Sequence, residues 1–227
     1  MYYKIETHCH TFESSACGRV PAEQLVELYL EAGYAGLVIT DHFSADNSER
    51  LAARDGRPTD FAGQCDNLFQ GYQAAKDFAQ GRLIILMGME LRFNANRNDY
   101  LVYGFDKPNL LKHSDLFHWG IERFSAYARK RGLLVVQAHP FRDGMTITAP
   151  ASIDMLEVHN GHPRQASRNE IAARWAEMHG LPGSSGSDFH RQGDQGGGGV
   201  LLPEKPRNSD HFVTMMKEGP LLVKGDN

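Results

Sequence analysis

Histidine and acidic residues recur in this sequence directly after short apolar segments. Two pairs are separated by a single residue, His8 with His10 and Asp188 with His190. Because residues i and i+2 of an extended chain point to the same side, each pair can hold one metal ion. Imidazole and carboxylate together suit Zn²⁺, Mn²⁺ or Fe²⁺ better than Ca²⁺, which prefers oxygen ligands alone. The spacing therefore predicts a site for one of these ions.

Three further candidates follow other apolar segments: His42 in TDH, Glu90 in GMEL and His139 in AHP. A single His after a strand is more often a hydrogen-bonded surface residue than a ligand, so the joint pattern favours the metal site. With the two pairs, the candidates exceed the four ligands of a tetrahedral centre. We therefore predict two or three divalent ions that share a carboxylate bridge.

The apolar segments before these residues are predicted to be β-strands. They alternate with segments of helical period, which is the pattern of parallel strands joined by right-handed helical crossovers. The predicted strands are 2–7, 35–40, 83–89, 100–103, 133–138, 153–158 and 181–186, and the predicted helices are 21–32, 61–80, 116–131 and 166–179. Because the carboxyl ends of parallel strands in a barrel lie on one face, the candidate ligands would converge there.

Length and composition are those of an ordinary globular protein. The chain has 227 residues, 41% of them hydrophobic, with 24 Lys and Arg against 28 Asp and Glu and a formal net charge of −4. This balance excludes a basic nucleic-acid platform, and an α/β barrel can be built from about 200 residues upward. We predict one domain over 1–227, with a closing helix and strand after Arg207. The Gly-rich stretch 191–199 lacks the Lys of a phosphate cradle and is predicted to be a mobile loop.

Cysteine usage and the first residues predict a cytoplasmic location. Cys9, Cys17 and Cys65 are odd in number and form no CxxC pair, which argues against a disulfide framework and a thiolate zinc finger. The first residues lack a charged segment followed by an apolar one, and apolar residues nowhere run on for about 18 positions. We therefore expect a protein that is neither secreted nor bound to a membrane.

The motifs resemble those of the PHP (polymerase and histidinol phosphatase) domain family, in the order that the family shows. They are HCHT at 8–11, GLVITDH at 36–42, GMEL at 88–91, AHP at 138–140, EVHNG at 157–161 and GSDFH at 186–190. The resemblance covers nearly the whole chain. It implies a distorted (β/α)7 barrel of the TIM-like α/β class, with up to three ions, usually Zn, Mn or Fe, and most often phosphoesterase chemistry.

The resemblance also implies how the ligands are shared. One ion would be held by His8, His10, Glu90 and Asp188. Glu90 would bridge to a second ion held by His139. The third ion would be held by His42 and His190.

This chain departs from the family pattern at two positions. Many members have a His where this chain has Asp99, which could replace it as an oxygen ligand or leave that ion more weakly bound. Many members read SDG where this chain reads SACG at 15–18, so either Glu13 or Cys17 could complete the third site. We predict Glu13, because a carboxylate keeps the ligand chemistry. Asp41 is expected to orient a ligand or substrate rather than to bind metal.

The resemblance and the ligand chemistry predict a metal-dependent phosphoesterase. A metal-bridged hydroxide would be the nucleophile, since a bound metal lowers the pKa of water to roughly 7. Glu90 and Asp188 would belong to the catalytic centre. Arg142 and Arg164 follow ligand motifs and are predicted to pair with phosphate oxygens, with surface solvation as the alternative.

The predicted partner is a small phosphate ester, such as a nucleotide or an amino-alcohol or sugar phosphate, rather than long nucleic acid. Two alternatives stay open. One is a non-catalytic metal-binding or regulatory PHP module. The other is an amidohydrolase-like C–N hydrolase, which would have a Lys at a strand end.

Overall fold

The computed structural model describes residues 1–225, so the last two residues of the predicted domain lie outside it. Its strands are β1 (Tyr3–Cys9), β2 (Gly36–Ile39), β3 (His42–Phe43), β4 (Ile84–Arg92), β5 (Asp99–Tyr103), β6 (Leu134–Gln137), β7 (Met155–Asn160), β8 (Gly183–Gly186), β9 (Gly198–Leu202) and β10 (Leu221–Lys224). Its helices are α1 (Ala22–Glu31), α2 (Ala45–Asp55), α3 (Phe61–Ala79), α4 (Lys107–Leu110), α5 (Gly120–Arg131), α6 (Asn169–Met178) and α7 (Ser209–Lys217).

The strands form one curved sheet in the order β10-β9-β1-β2-β4-β5-β6-β7-β8, with β3 also paired to β4. The sheet nearly closes on itself. Cys9 at the end of β1 forms a parallel bridge with Phe189, just after β8, and the Ser185 hydroxyl of β8 donates to the Val223 carbonyl of β10 at 2.5 Å. The predicted α/β class and barrel shape are therefore confirmed.

The predicted crossovers implied a sheet that is parallel throughout. The observed sheet is mixed. β5 runs antiparallel to both β4 and β6, and β9 runs antiparallel to β1 and β10. The segment 93–98 between β4 and β5 is too short for a helical crossover, which needs a dozen or more residues. As a result Asp99, the first residue of β5, pairs with Arg92, the last of β4. Asp99 therefore lies at the end of the barrel where β4 terminates.

The Gly-rich stretch is part loop and part strand. Residues 191–197 form turns, as predicted, but Gly198 and Gly199 belong to β9, so the prediction of a loop is wrong for them. A Cβ on Gly198 would lie 2.3 Å from the backbone of Gly186 in β8. Glycine is thus required because two backbones meet where the barrel closes.

The longer predicted helices agree with α1, α3, α5 and α6, and the closing helix and strand agree with α7 and β10. The helix α2 was not predicted, although its N-cap is a typical one, since the Ser44 hydroxyl accepts from the Asn47 N–H. Apolar residues of α1, α3, α5 and α6 pack against the sheet in two clusters, and a third cluster joins Ile5, Val38 and Leu101 to α7. No helix within residues 1–225 is long and apolar enough to cross a membrane.

Helix α3 is fastened to the loop after β1 by the hydroxyl of Ser14. This hydroxyl donates to the Asn67 carbonyl at 2.6 Å and accepts from the Gly71 N–H at 2.8 Å. It therefore stands between the two groups that would pair as i and i+4 in an uninterrupted helix. A Cβ on Gly71 would lie 2.0 Å from Thr11 Oγ1. The missing side chain lets the helix lie directly on the loop.

Candidate metal centre

Of the eight side chains predicted to bind metal, all but Glu13 converge at one end of the barrel. They lie in or just after the strands β1, β3, β4, β6 and β8. Their potential ligand atoms fall into overlapping groups, each with all its atoms within 4.8 Å of one another: His8, His10 and Asp188; His8, Glu90 and His139; His42, Glu90 and Asp99; His162, Asp188 and His190; and His10, Cys17 and His42. We call these residues the cluster. The groups are linked because several residues belong to two of them.

Glu90 lies at the centre of the cluster and is fully buried. Its Oε1 is 2.9 Å from His139 Nε2 and 3.4 Å from His8 Nε2. Its Oε2 is 2.9 Å from His42 Nδ1 and 3.2 Å from His10 Nε2. One carboxylate is therefore faced by four imidazoles, two at each oxygen, which is the placement that a bridging ligand needs.

Asp188 faces the same space from the other side. Its Oδ1 lies 3.4 Å from His8 Nε2 and 3.3 Å from His10 Nε2. Its Oδ2 accepts a hydrogen bond from Arg142 Nη2 at 2.8 Å. The HxH pair of β1 is therefore enclosed between two carboxylates, and one of these also contacts an arginine.

Unsatisfied atoms in the cluster fit divalent cations. His8 Nε2, His10 Nε2 and Glu90 Oε2 are buried and have no hydrogen-bond partner, whereas buried polar atoms are normally bonded. Imidazole nitrogen and carboxylate oxygen are the donors that Zn²⁺, Mn²⁺ and Fe²⁺ accept together. The donor set and its orphaned atoms are thus those of a divalent-metal centre.

The backbone is strained at two of the strand ends. His139 has φ 28° and Asp188 has φ 50°, both in the left-handed region that residues other than glycine rarely adopt. Such conformations cost of order 1–3 kcal/mol each and concentrate at functional sites. His139 and Asp188 adopt these conformations just after β6 and β8 end, where their side chains enter the cluster.

The two buried carboxylates are held in their charged form. Burial by itself raises the pKa of Glu90, but the imidazoles of His42 and His8 outweigh it and hold that pKa well below its usual value. Burial likewise raises the pKa of Asp188, but His8 and His190 outweigh burial and hold that pKa well below its usual value. Both carboxylates are therefore ionised at neutral pH, as metal ligands must be.

Glu157 lies behind the cluster and was given no role from the sequence. Its Oε1 is 2.9 Å from His8 Nδ1, and its Oε2 accepts from the His139 N–H at 2.8 Å and from Asn160 Nδ2 at 2.9 Å. A carboxylate on Nδ1 fixes the tautomer that leaves Nε2 free to bind metal. The available signal was a charged residue inside the apolar strand β7.

Asp41 also lies behind the cluster, in the position expected of a residue that orients a ligand. Its Oδ1 accepts from the Ser15 hydroxyl at 2.6 Å, and that hydroxyl is 3.2 Å from His10 Nδ1. Both the N–H and the hydroxyl of Thr11 donate to the Asp41 carboxylate. Burial raises the pKa of Asp41 to about 6.

The structure places Glu13 outside the groups of potential ligand atoms. Both of its carboxylate oxygens accept from the Ala22 N–H, at 3.1 and 3.0 Å, at the start of α1. A negative charge there stabilises the helix dipole, which gives Glu13 a structural role away from the cluster. The loop instead brings Cys17 beside His10 and His42.

Asp99 lies at the edge of the cluster and is engaged by an arginine. Its carboxylate makes a two-pronged ion pair with Arg92, with both contacts at 2.7 Å. Its Oδ2 is 4.0 Å from His139 Nε2. Asp99 thus lies within reach of the cluster, but Arg92 shares its oxygens.

The two predicted phosphate-binding arginines both lie beside the cluster. Arg142 Nη2 contacts Asn160 and Ser167 as well as Asp188, and its Nε is buried without a partner. Arg164 forms a two-pronged ion pair with Asp194 at 2.5 and 2.6 Å. Arg164 also lines a cleft of about 390 Å³ together with Cys17, Arg19, His162, Gln165, His190 and Arg191.

Three solved structures resemble this one over nearly its whole length. PsfC from Pseudomonas syringae PB-5123 is 20% identical, with a TM-score of 0.70 over 99% of this chain and 92% of its own. A protein of Bifidobacterium adolescentis, described as a candidate metal-dependent phosphoesterase, is 17% identical, with a TM-score of 0.55 over 95% and 96%. Endonuclease Q, solved with a 27-mer duplex carrying an abasic lesion, is 13% identical, with a TM-score of 0.60 over 97% of this chain and 58% of its own.

The chain shares their fold. No family model matches its sequence, and no curated protein does. The fold of the neighbours therefore supports the barrel, while chemistry depends on the side chains of the cluster.

Glu157→Gln is expected to weaken metal binding by about 10–100-fold, the usual effect of removing such a partner. Three donors face this carboxylate, from His8, His139 and Asn160, and the amide group of Gln would meet at least one of them with another N–H. Competition with a chromophoric chelator measures the change. Glu177→Gln, at an exposed position of α6, is the control, and equal affinity in both variants would contradict the role of Glu157.

Proposed function

We propose that this protein is a metal-dependent phosphoesterase of the PHP type, which hydrolyses a small phosphate ester. The observation that carries the proposal is the bridging position of Glu90, with four imidazoles facing one buried carboxylate. Two or three divalent ions, Zn, Mn or Fe, would be held there. The inner ligands are His8, His10, Glu90, His139 and Asp188, and His42 and His190 lie at the outer edge.

Ions bound in such a cluster supply positive charge to phosphoryl oxygens and lower the pKa of a coordinated water to roughly 7. The protein's own part is to keep the ligands ionised and oriented. Glu157 and the pair of Asp41 and Ser15 hold His8 and His10 by their Nδ1 atoms. The first ligands are thereby fixed before substrate arrives, which lowers the cost of positioning.

Arg142 is the side chain best placed to bind the phosphate. It reaches the cluster through Asp188, and its buried Nε has no partner in the protein. A guanidinium presents its N–H groups in a planar fork that matches two phosphate oxygens. Arg142 can therefore orient an ester beside the ligands while its Nη2 stays anchored to Asp188.

The size and charge of the cleft favour a small substrate. Its volume of about 390 Å³ falls in the range of small-molecule sites, roughly 300–1,000 Å³. Three arginines line it, Arg19, Arg164 and Arg191, whereas the whole chain has a net charge of −4. The structural neighbour solved with duplex DNA is a longer protein, of which this chain covers 58%. We therefore favour a nucleotide, amino-alcohol or sugar phosphate over long nucleic acid.

Hydrolysis of a C–N bond is less well supported by the strand ends. A bridging, carbamylated lysine would have to follow one of the parallel strands. None of the three residues after β1, β2, β4, β6, β7 or β8 is a lysine. Lys4 lies within β1, with its ammonium over the ring of Tyr34.

The test is a phosphate-release screen with the metal-loaded protein, over mononucleotides, bisphosphates, dinucleotides, and sugar and amino-alcohol phosphates. Duplex DNA with an abasic site is included as the competing substrate class. Arg142→Ala is expected to raise KM or lower kcat for the best substrate without changing metal content, and Arg174→Ala, exposed on α6, is the control. Bound metal with no release from any phosphate ester would sink the proposal.

A further inference from the structure

Cys17 occupies an unusual place for a cysteine of this chain. Cys9 is buried at the end of β1 and Cys65 is buried in α3, whereas Cys17 is partly exposed at the mouth of the barrel. Its Sγ belongs to the group that also contains His10 and His42, with all the potential ligand atoms within 4.8 Å of one another. Cys17 and His190 also line both clefts that open beside the cluster.

The loop that carries the thiol is held in place by its own backbone. The Ser15 N–H donates to the Thr11 carbonyl, and the Gly18 N–H donates to the Ser15 carbonyl. The Ala16 N–H donates to the Asn47 side chain of α2. A Cβ on Gly18 would lie 2.2 Å from the Thr11 carbonyl oxygen, so the turn needs glycine at this point. The thiol is therefore positioned by the fold.

The imidazoles beside the thiol each turn Nδ1 towards another group of the protein. His42 Nδ1 faces Glu90 at 2.9 Å, and His190 Nδ1 lies 2.8 Å from the Asp188 carbonyl oxygen. The remaining donor of each ring is Nε2. His10, also in the group, is fully buried and has an Nε2 without a hydrogen-bond partner. The group around the thiol therefore contains a buried nitrogen that has no partner in the protein.

The thiol lies within hydrogen-bonding reach of the imidazoles of both His42 and His190. Thiolate, rather than thiol, is the form of cysteine that binds metal.

We infer that Cys17 is a metal ligand and completes the outermost ion site of the cluster together with His42 and His190. The inference rests on the metal centre of the proposed function but is independent of which ester, if any, is hydrolysed. Two imidazoles and a thiolate form a softer donor set than the inner carboxylates and imidazoles. This site should therefore prefer Zn²⁺, Fe²⁺ or Co²⁺ to Mn²⁺ or Mg²⁺. Its open side faces the arginine-lined cleft.

Titration with Co²⁺ tests the inference, because a thiolate ligand gives a charge-transfer absorption in the near ultraviolet that nitrogen and oxygen ligands do not. Wild-type protein should show this band and bind one more Co²⁺ per chain than Cys17→Ser. Cys17→Asp should lose the band but regain the ion, since a carboxylate can replace the thiolate. Cys65→Ser, which changes a cysteine remote from the cluster, should match the wild type.

Thiol alkylation gives a second readout that needs no Co²⁺. Cys17 should react slowly in the Zn²⁺-loaded protein and rapidly after chelation, because the metal occupies its sulfur. Bound Co²⁺ without the band, or a band that survives in Cys17→Ser, would overturn the inference while leaving the proposed function standing. Failure of the wild type to bind any divalent ion would overturn both.

Discussion

Glu90→Gln is expected to abolish ester hydrolysis and to lose more than one metal ion per chain. Glu90 contacts four imidazoles, two at each carboxylate oxygen. An amide keeps the shape of the side chain but has only one oxygen and no charge, so it cannot join two ions. Loss of a bridging ligand removes the charge that stabilises the transition state, and kcat should fall by about 10³-fold or more.

Elemental analysis of metal per chain and kcat for the best ester measure these two effects. Glu122→Gln, exposed on α5, is the matched control and should retain both metal and turnover. The circular dichroism spectrum and the thermal transition show whether the Glu90 variant still folds. A folded variant with full metal content and full turnover would exclude the bridging role of Glu90.

Removal of metal is expected to cost several kcal/mol of stability. The cluster joins residues from opposite parts of the chain, since His8 lies in β1 and Asp188 follows β8. Ligands this far apart in sequence form a site only in the folded state, so bound ions stabilise the native protein alone. At free metal about 1,000 times the dissociation constant, one site contributes about 4 kcal/mol, or roughly 8–16 °C in Tm for a chain of this size.

Calorimetry of the protein with added Zn²⁺, and again after dialysis against a chelator, measures the shift. Because protons compete with metal for the imidazoles, the shift should shrink as the pH falls. Glu90→Gln serves as the comparison, since it should respond much less to chelation. Equal Tm values in the loaded and stripped wild type would contradict the cluster as a metal centre that stabilises the fold.

Much of the cluster could be predicted from the sequence because its ligands lie in or just after the last residues of apolar strands. The side chains of His8 and His10 point to the same side of the extended chain by strand periodicity alone. Glu90, the acidic residue of GMEL, lies near the end of an apolar strand. Spacing along one strand is a local property, so it can be read without knowing the fold.

Other features depend on contacts that no local pattern reveals. Whether Glu13 or Cys17 enters the cluster is decided by how a loop without regular structure folds back, with the start of α1 holding Glu13. The strand β9 was missed because its glycines are needed for a close approach to β8, and glycine normally weakens a strand. The antiparallel direction of β5 follows from a short connection, which periodicity does not report.

The Ser14 hydroxyl, inserted between the Asn67 carbonyl and the Gly71 N–H of α3, fixes the length of the loop between β1 and α1. An inserted or deleted residue between His10 and Ser14 would withdraw the hydroxyl and leave the Asn67 carbonyl and the Gly71 N–H without their shared partner. The loop after β1 and helix α3 therefore have to keep their relative positions for these hydrogen bonds to form.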